Sequence, residues 1–286
     1  MLKNYPVYSI FKPMKKSVLT LCILLLAIAS QAKVDTLTIY SKAMQKNINC
    51  VVITPDNGKA NERWPVVYLL HGYSGNYANW IKRVPALQQH ANEYQLMIVC
   101  PDGGFSSWYF DSPVDKNIRY ETHIIKEVIP VIDSNYKTKK EKQYRAITGL
   151  SMGGHGGLFL GLRNNNLFGA CGSMSGGVDL KSTGYKFDIE KRIGDSTNNT
   201  NNKYWKDYSV IDMIDKYKDS GSAMIIDCGT EDFFYKINSN LHKKMLELKI
   251  PHEYIERPGK HDWDYWRNAV QYQLLFFSNY FKANTK

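Results

Sequence analysis

Apolar and polar positions along the chain follow two alternating patterns. Seven short apolar runs have the residue types of β-strands, and they cover 48–53, 66–70, 96–100, 146–148, 169–174, 223–227 and 253–256. Other segments have a helical pattern, near 79–91, 117–135, 152–164, 235–249 and 263–282. Uninterrupted apolar strands that alternate with helices are typical of a parallel sheet buried on both faces. The pattern therefore predicts an α/β fold with a mostly parallel central sheet and helices on both faces.

Two stretches depart from this alternation. No helix lies between the strands at 48–53 and 66–70, which suits an antiparallel start to the sheet. Residues 178–210 are polar, and asparagine predominates over 198–202. We interpret residues 178–210 as an insertion after the fifth predicted strand that forms a lid or rim.

A different apolar run lies near the N-terminus. Two lysines precede apolar residues 18–29, and Ser-Gln-Ala at 30–32 offers the small residues that a signal peptidase reads. The run is too short and wrongly flanked to span a bilayer as a stable anchor. Residues 1–32 are therefore predicted to be a signal peptide that is cleaved near Ala32.

The start of the chain suggests a further hypothesis. Met14 would begin a compact signal peptide with Met-Lys-Lys, so residues 1–13 are interpreted as an over-long gene start. We expect residues 33–286 to form a single catalytic domain. That domain is expected to be exported to the periplasm or secreted, with no stable membrane anchor, and the oligomeric state stays open.

Composition narrows the class of protein. With 286 residues, 43% of them hydrophobic and 22% charged, the chain has the size and chemistry of one sizeable globular domain. The net charge falls from +10 to +6 without residues 1–32. Because the remaining lysines are scattered and no stripe of aromatic and basic residues accompanies them, a solvated basic surface is favoured over nucleic-acid binding. Buried free thiols are favoured over disulfides or a metal site for the four remaining cysteines, which lie in or beside apolar runs: Cys50, Cys100, Cys171 and Cys228.

The pentapeptide Gly-Leu-Ser-Met-Gly at 149–153 carries the first candidate chemistry. It lies between the predicted strand 146–148 and the predicted helix 152–164. The pattern G-x-S-x-G at such a turn is a nucleophile elbow, which exposes a serine hydroxyl at the top of a sheet. Ser151 is therefore predicted to be a nucleophile rather than an ordinary helix N-cap.

Two further candidate groups follow later strands, where function collects in an open α/β sheet. Asp232 comes after the strand 223–227, and His261 lies in a glycine-flanked loop after the strand 253–256. The chain order Ser, Asp, His is that of α/β-hydrolases. His261 is predicted to take the serine proton, and Asp232 to hold the imidazole in the required tautomer.

Other acidic residues and histidines compete for these roles. Asp227 is expected to remain within its strand, and Glu231 is expected to point away if Asp232 points inwards. His155 lies on the elbow helix, one turn after Ser151, and is interpreted as a packing residue or as a residue that supports the catalytic groups from behind.

Acyl transfer also needs N–H groups that stabilise negative charge on the carbonyl oxygen, each contributing on the order of 3 kcal/mol. The N–H of Met152, directly after the nucleophile, is one predicted donor. The turn His-Gly-Tyr-Ser-Gly at 71–75 follows the strand 66–70, and the N–H of Tyr73 is the best second candidate. His71 is expected to fix this turn by hydrogen bonds rather than to transfer protons.

Five ordered motifs make a family resemblance specific. They are His-Gly-Tyr-Ser-Gly-Asn at 71–76 with Trp80, Ser-Trp-Tyr at 107–109, the elbow at 149–154, Cys-Gly-Thr-Glu-Asp-Phe at 228–233, and Gly-Lys-His-Asp-Trp-Asp-Tyr-Trp at 259–266. Together they resemble the esterase D-type "putative esterase" family of α/β-hydrolases over about residues 36–282. This family includes tributyrin-type acyl esterases, acetyl xylan and feruloyl esterases (family 1 carbohydrate esterases), S-formylglutathione hydrolases and mycolyltransferases.

The resemblance implies a serine esterase that needs no metal or other cofactor. It carries the nucleophile to Ser151, the acid to Asp232, the base to His261 and the oxyanion donors to Tyr73 and Met152, the same positions that the strand ends predict. Relatives often have Leu or Met where this chain has Tyr73. Because the donor is a backbone group, catalysis should survive this difference, and the ring is expected to shape the acyl or leaving-group side.

The expected export and the aromatic residues near the predicted site indicate a class of substrate. Trp108, Tyr109 and Trp263 are predicted to bind a small-molecule or polysaccharide ester, because rings stack on sugars and aromatic groups. Burial in the core is the alternative for Trp263 and Trp266. We expect an acyl-enzyme mechanism on acetyl or feruloyl esters of plant polysaccharide. The alternatives are a general short-chain acyl esterase and a catalytically silent carbohydrate-binding relative, while an S-formylglutathione hydrolase would belong in the cytosol.

Overall fold

A computed structural model describes residues 33–56, 62–184, 186–197 and 199–285. The predicted signal peptide, residues 1–32, and the proposed over-long start within it lie outside the described residues. The last residue, 286, does so too.

The described residues contain an eight-stranded sheet. The strands are β1 Lys33–Ser41, β2 Lys46–Thr54, β3 Val66–Leu70, β4 Met97–Pro101, β5 Arg145–Gly149, β6 Ala170–Met174, β7 Ala223–Gly229 and β8 Glu253–Arg257. The α-helices are α1 Asn79–Arg83, α2 Leu87–Tyr94, α3 Tyr120–Thr122, α4 Ile129–Asn135, α5 Met152–Arg163, α6 Leu180–Thr183, α7 Ile189–Ile193, α8 Asn199–Asp207, α9 Val210–Met213, α10 Tyr235–Glu247 and α11 Trp263–Ala283. The π-helical turn His123–Val128 joins α3 to α4, and 3-10 turns cover Lys142–Tyr144, Lys186–Asp188 and Ile214–Tyr217.

The strands lie in the order β1-β2-β4-β3-β5-β6-β7-β8. The pairs β1/β2 and β2/β4 are antiparallel, and the strands from β4 to β8 pair in parallel. The predicted antiparallel start is therefore present, but β2 pairs with β1 and β4 rather than with β3. β1, which the sequence analysis did not predict, alternates exposed and less exposed side chains because it lies at the edge of the sheet.

The segment 79–91, predicted as one helix, forms two. Val84 ends α1 with an extended φ of −131°, and α2 begins at Leu87. Pro85 lies between them, and a proline both lacks the N–H that a continuing helix needs and disfavours helical backbone in the residue before it. Arg83 is the last residue of α1, directly before this break.

Apolar side chains fill both sides of the sheet. Tyr68 and Ile147 pack into one core cluster with Phe159 of α5, while Leu69 packs into the other with Phe277 of α11. Successive strand residues point to opposite faces, so each buried strand supplies both clusters. Among the described residues, no helix has the length and apolar character needed to cross a bilayer.

The registers of the parallel strands bring their carboxyl ends to one edge. Leu70 pairs with Gly149, and Met174 pairs with Asp227. On β8, Arg257 pairs with Gly229 of β7. The turn at 71–75, the elbow and the loops after β7 and β8 therefore leave the sheet on the same side.

The described residues of the polar insertion, 178–184, 186–197 and 199–210, form helices that pack on the domain, and we call residues 178–210 the rim segment. Its apolar residues Leu180, Ile189, Ile193 and Trp205 are buried. They are spaced among polar residues, so the polar composition concealed them. The four cysteines are buried and unpaired, as predicted.

Candidate active site

The elbow occupies the turn between β5 and α5. Ser151 has φ 55° and ψ −116°, a conformation that L-residues rarely adopt and that is typical of a nucleophile elbow. Its backbone N–H donates to the carbonyl oxygen of Met174 at 2.9 Å, which ties the turn to β6. The turn is therefore held from the neighbouring strand while the serine hydroxyl points into the cleft described below.

Two glycines allow this turn to pack closely. A Cβ atom at Gly149 would lie 2.5 Å from the carbonyl oxygen of Leu70. One at Gly153 would lie 2.5 Å from the carbonyl oxygen of His71. Both obstacles are backbone atoms that cannot move aside cheaply, which is why the elbow requires glycine at these positions.

The structure brings the three predicted catalytic side chains together. The Ser151 hydroxyl lies 2.9 Å from Nε2 of His261, and the Nδ1 atom of His261 lies 2.8 Å from Oδ2 and 2.9 Å from Oδ1 of Asp232. Since the carboxylate of Asp232 can only accept, Nδ1 of His261 carries a hydrogen and Nε2 is free to accept the serine hydrogen. Serine, histidine and aspartate thus form a continuous hydrogen-bonded chain.

The backbone around Asp232 holds its carboxylate in place. The side chain is 0% exposed, and its Oδ1 accepts a hydrogen bond from the N–H of Phe234 at 2.7 Å. The Asp232 N–H in turn donates to the carbonyl oxygen of Gly229, the last residue of β7. The loop after β7 therefore sets the position of this acid directly.

Asp227 and Glu231, the competing acids, lie elsewhere. Asp227 is fully buried in β7, where it accepts from Tyr265 Oη at 2.5 Å and from Nη2 of Arg257 at 2.7 Å. Burial raises the pKa of Asp227, although both of these hydrogen bonds oppose the shift. Glu231 is exposed, so only Asp232 reaches His261.

Aromatic rings surround the imidazole of His261. Phe233 lies against it with ring centroids 4.1 Å apart, and the edges of Phe234 and Trp266 approach at 5.3 Å and 4.9 Å. The His261 side chain is 13% exposed. Packing on several sides leaves the ring little freedom to rotate away from Ser151.

The two predicted oxyanion donors face the same cleft. Within the described residues, the N–H groups of Tyr73 and Met152 have no protein acceptor, whereas the neighbouring N–H groups of Ser74 and Gly153 donate to carbonyl oxygens. His71 fixes the turn as expected. Its Nδ1 lies 2.8 Å from the Gly72 carbonyl oxygen, and its Nε2 accepts from the Gly103 N–H at 2.7 Å.

Ser151 and His261 line a cleft with a volume of about 340 Å³. It is lined by Gly72, Tyr73, Ser74, Gly75, Asn79, Arg83, Leu150, Ser151, Phe187, Phe233, His261, Trp263 and Trp266. The predicted substrate-binding residue Trp263 is therefore at the cleft, half-buried, with Trp266 beside it.

The interpretation of Trp108 and Tyr109 as substrate-binding residues is wrong. Their exposed fractions are 1% and 0%, and neither lines the cleft. Trp108 packs against the backbone at Gly177 and the ring of His155, while Tyr109 Oη donates to the carbonyl oxygen of His71. Both rings support the walls of the site from behind.

Two cleft aromatics escaped the sequence analysis. Phe233, 61% exposed, follows Asp232 directly, so its place in the acid's loop was a signal that could have indicated it. Phe187 belongs to the rim segment and stacks on Phe233 with centroids 6.3 Å apart. Nothing in the polar sequence around Phe187 indicated that it reaches the site.

Hydrogen bonds fasten the rim segment to the turn that carries Tyr73. Tyr73 Oη donates to Oδ2 of Asp188 at 3.2 Å, and Trp108 Nε1 donates to the carbonyl oxygen of Phe187 at 2.9 Å. Phe187 and Asp188 both have positive φ angles, 64° and 58°. These contacts hold Phe187 over the cleft in a conformation that non-glycine residues seldom adopt.

His155 is a packing residue, as predicted. It is fully buried, and its Nε2 lies 2.8 Å from the carbonyl oxygen of Tyr208, which connects α5 to the rim segment. Burial lowers the pKa of His155 to about 4, so the ring is neutral at physiological pH. Within the described part of the chain, no group of three or more His, Cys, Asp or Glu residues is arranged to hold a metal ion.

The sheet, the elbow at its carboxyl edge and the Ser-His-Asp chain define a serine hydrolase of the α/β-hydrolase class. Comparison with known proteins gives the family. A family model described as "Putative esterase" matches residues 41–277, and the chain belongs to that family. It is a serine carboxylic ester hydrolase, and the fold class and family that the sequence predicts are confirmed.

Individual relatives agree with this assignment. An acetyl esterase of Caldicellulosiruptor saccharolyticus is 26% identical over 81% of this chain and 92% of its own length. An endo-1,4-beta-xylanase/feruloyl esterase of Xylanibacter ruminicola is 35% identical over 41% of this chain, which is 17% of that larger protein. A solved structure of a ferulic acid esterase is 27% identical, with a TM-score of 0.75 over 87% of this chain and 99% of its own.

Proposed function

We propose that the protein hydrolyses carboxylic esters through an acyl-enzyme on Ser151. The observation that carries this proposal is the hydrogen-bonded chain from Ser151 through His261 to Asp232. His261 Nε2 takes the hydroxyl proton as Oγ bonds to the ester carbonyl carbon. The same nitrogen then returns the proton to the departing alcohol oxygen as the ester C–O bond breaks.

Water completes the cycle by the reverse sequence. His261 takes a proton from the water as its oxygen attacks the acyl carbon, and the proton then passes to Ser151 as the acid leaves. Asp232 stabilises the imidazolium in both halves. The N–H groups of Tyr73 and Met152 stabilise the oxyanion, and their lack of a protein acceptor in the described structure supports this role.

For the substrate, we propose acetyl or feruloyl esters of plant polysaccharide. The aromatic lining of the cleft by Phe187, Phe233 and Trp263 suits sugar rings and aromatic acyl groups. The named acetyl and ferulic acid esterases among the relatives support the same class. The predicted signal peptide supports export, so that the enzyme would meet such a polymer outside the cytosol.

The test compares wild type with Ser151→Ala on p-nitrophenyl acetate, methyl ferulate and acetylated xylan. The matched control is Ser134→Ala, which removes an exposed hydroxyl that donates to the Val131 carbonyl oxygen. We expect Ser151→Ala to lower kcat at least about 10³-fold and the control to leave it unchanged. Mass spectrometry of quenched wild type should find the acyl group on Ser151.

Unchanged activity in Ser151→Ala would contradict the mechanism. Hydrolysis of p-nitrophenyl acetate alone would instead favour a general short-chain acyl esterase. Binding of xylan without turnover of any ester would favour a carbohydrate-binding relative. N-terminal sequencing of the exported protein tests the predicted cleavage near Ala32.

A further inference from the structure

Arg83 is a cleft residue that the proposed mechanism does not use. It is the last residue of α1, it is exposed, and it lines the same cleft as Ser151 and His261. Its guanidinium carbon lies 6.0 Å from the centroid of the Trp263 ring. The aromatic face is attractive to the cation and gives the guanidinium a supporting surface within the cleft.

The described residues that line the cleft include an arginine but no carboxylate. Apart from the titratable His261, Arg83 is the one charged side chain among the residues that line the cleft, and no aspartate or glutamate lines it. On an open surface, the free energy of a solvated arginine would depend little on its position. Here the guanidinium lines the same cleft as the reacting groups, so its charge is placed where an ester would bind.

Arg83 also differs from the other arginines in the described part of the chain. Six pair with a carboxylate: Arg119 with Asp111, Arg145 with Asp133, Arg163 with Glu121, Arg192 with Asp115, Arg257 with Asp227, and Arg267 with Asp264. Arg63 donates to the Thr138 carbonyl oxygen. For Arg83 the described structure shows only the Trp263 ring as a partner, so its donors remain available for a ligand.

We propose that Arg83 binds a carboxylate of the substrate and makes the enzyme prefer esters that carry one near the ester bond. The planar guanidinium presents paired donors that match the two oxygens of a carboxylate. The inference rests on the proposed ester hydrolysis and specifies its substrate class. The carboxylate belongs either to a uronic acid of the polysaccharide or to a dicarboxylic acyl group, and these two sources are distinguished below.

The experiment measures kcat/KM on matched pairs of esters. Mono-4-nitrophenyl adipate against 4-nitrophenyl hexanoate places the carboxylate on the acyl side. Acetylated xylo-oligosaccharides with and without a glucuronic acid branch place it on the alcohol side. Each pair is assayed with wild type, Arg83→Gln, Arg83→Lys and Lys82→Gln, at low and high salt.

Lys82→Gln is the matched control, because Lys82 is an exposed neighbour on α1 that does not line the cleft. It removes the same single charge as Arg83→Gln.

We expect Arg83→Gln to lower kcat/KM for the anionic member of one pair about 10-fold and to change the neutral member less than about 2-fold. Arg83→Lys should keep part of the preference, and salt should weaken it in wild type. A loss confined to the adipate ester identifies an acyl carboxylate. A loss confined to the glucuronate-bearing oligosaccharide identifies a uronic acid.

Equal effects of Arg83→Gln on anionic and neutral esters would overturn the inference, and so would an equal effect of Lys82→Gln. In either case, continued hydrolysis of the neutral esters would leave the proposed function standing. Wild type that hydrolyses none of these esters would instead contradict the proposed function itself.

Discussion

The carboxyl edge of the sheet and the rim segment both face the cleft, but they are held in different ways. At the edge, Ser151 and Asp232 follow buried strands within two or three residues, and close backbone contacts hold each turn. In the rim segment, Phe187 depends on side-chain hydrogen bonds to a loop and on two consecutive positive φ angles.

This difference indicates separate roles for the edge of the sheet and the rim segment. The proposed proton transfer between Ser151 and His261 tolerates little error in distance, and rigid strand ends supply that precision. The contacts that we expect Phe187 to make with a substrate depend more on surface and shape. We therefore expect the edge of the sheet to govern the reaction and the rim segment to contribute, with Arg83, to the choice of ester, and this division is open to test.

The largest expected contrast is between two aspartates, one on each side of the division. Asp232→Asn should lower kcat about 10⁴-fold, because an amide no longer holds the His261 tautomer that accepts the serine proton. Asp188→Asn in the rim should change kcat/KM only a few-fold, since the lost ion pair with Lys191 is exposed. Steady-state kinetics on p-nitrophenyl acetate measure both, and comparable losses would remove the distinction.

A glycine in each region gives the next contrast, in stability. Gly153→Ala should lower the free energy of unfolding by several kcal/mol or prevent folding, because the new methyl group would overlap the backbone of His71. Gly184→Ala in the rim meets no atom within 4 Å and should cost about 1–3 kcal/mol, because its φ of 71° and ψ of −161° lie in a backbone region that is almost restricted to glycine. Urea denaturation compares the variants, and a Gly153→Ala protein as stable as Gly184→Ala would contradict the packing argument.

His155 joins the two regions and should make the stability of the fold pH-dependent. Because its folded pKa of about 4 lies below the unfolded value near 6.5, protonation favours the unfolded chain. This contribution to the free energy of unfolding is fully present above pH 6.5. It is lost as the pH falls toward 4, and the loss amounts to about 3 kcal/mol.

Denaturation of wild type and His155→Phe across this pH range measures the contribution. The phenyl ring fits the surrounding aromatic packing but cannot titrate, so the variant should lose less stability on acidification. Parallel curves for the two proteins would show that His155 does not titrate between the folded and unfolded states.

The smallest expected effect concerns Phe187. Phe187→Ala should raise KM for methyl ferulate several-fold and leave kcat on p-nitrophenyl acetate nearly unchanged, since the ring contacts the cleft but none of the reacting atoms. Leu275→Ala, at a 43% exposed position on α11, is the control. A fall in kcat for the small acetate ester would place Phe187 with the edge of the sheet rather than with the rim.

The chain order of motifs and strands determined most of the catalytic edge. Alternating apolar runs predicted seven of the strands, and because parallel strands end at the same edge, residues after β5, β7 and β8 had to meet there. Asp227 and Asp232 could be told apart because a residue within a strand and one in the following loop have different reach. The edge strand β1 escaped because its side chains alternate between exposed and less exposed positions, so it lacks the uninterrupted apolar run by which the other strands were recognised.

Only the tertiary structure decided which aromatic residues touch the cleft. Trp108 and Tyr109 pack against elements that carry the site yet are buried and do not line the cleft, while Phe187 comes from a polar segment far along the chain. Side-chain exposure depends on what other loops cover, and local sequence carries no record of those distant neighbours. The same reason applies to Arg83, whose place beside Trp263 arises from contact between two helices that are remote in sequence. Strand periodicity is a local property and can therefore be recognised in the sequence, whereas the walls of the cleft are assembled by long-range packing.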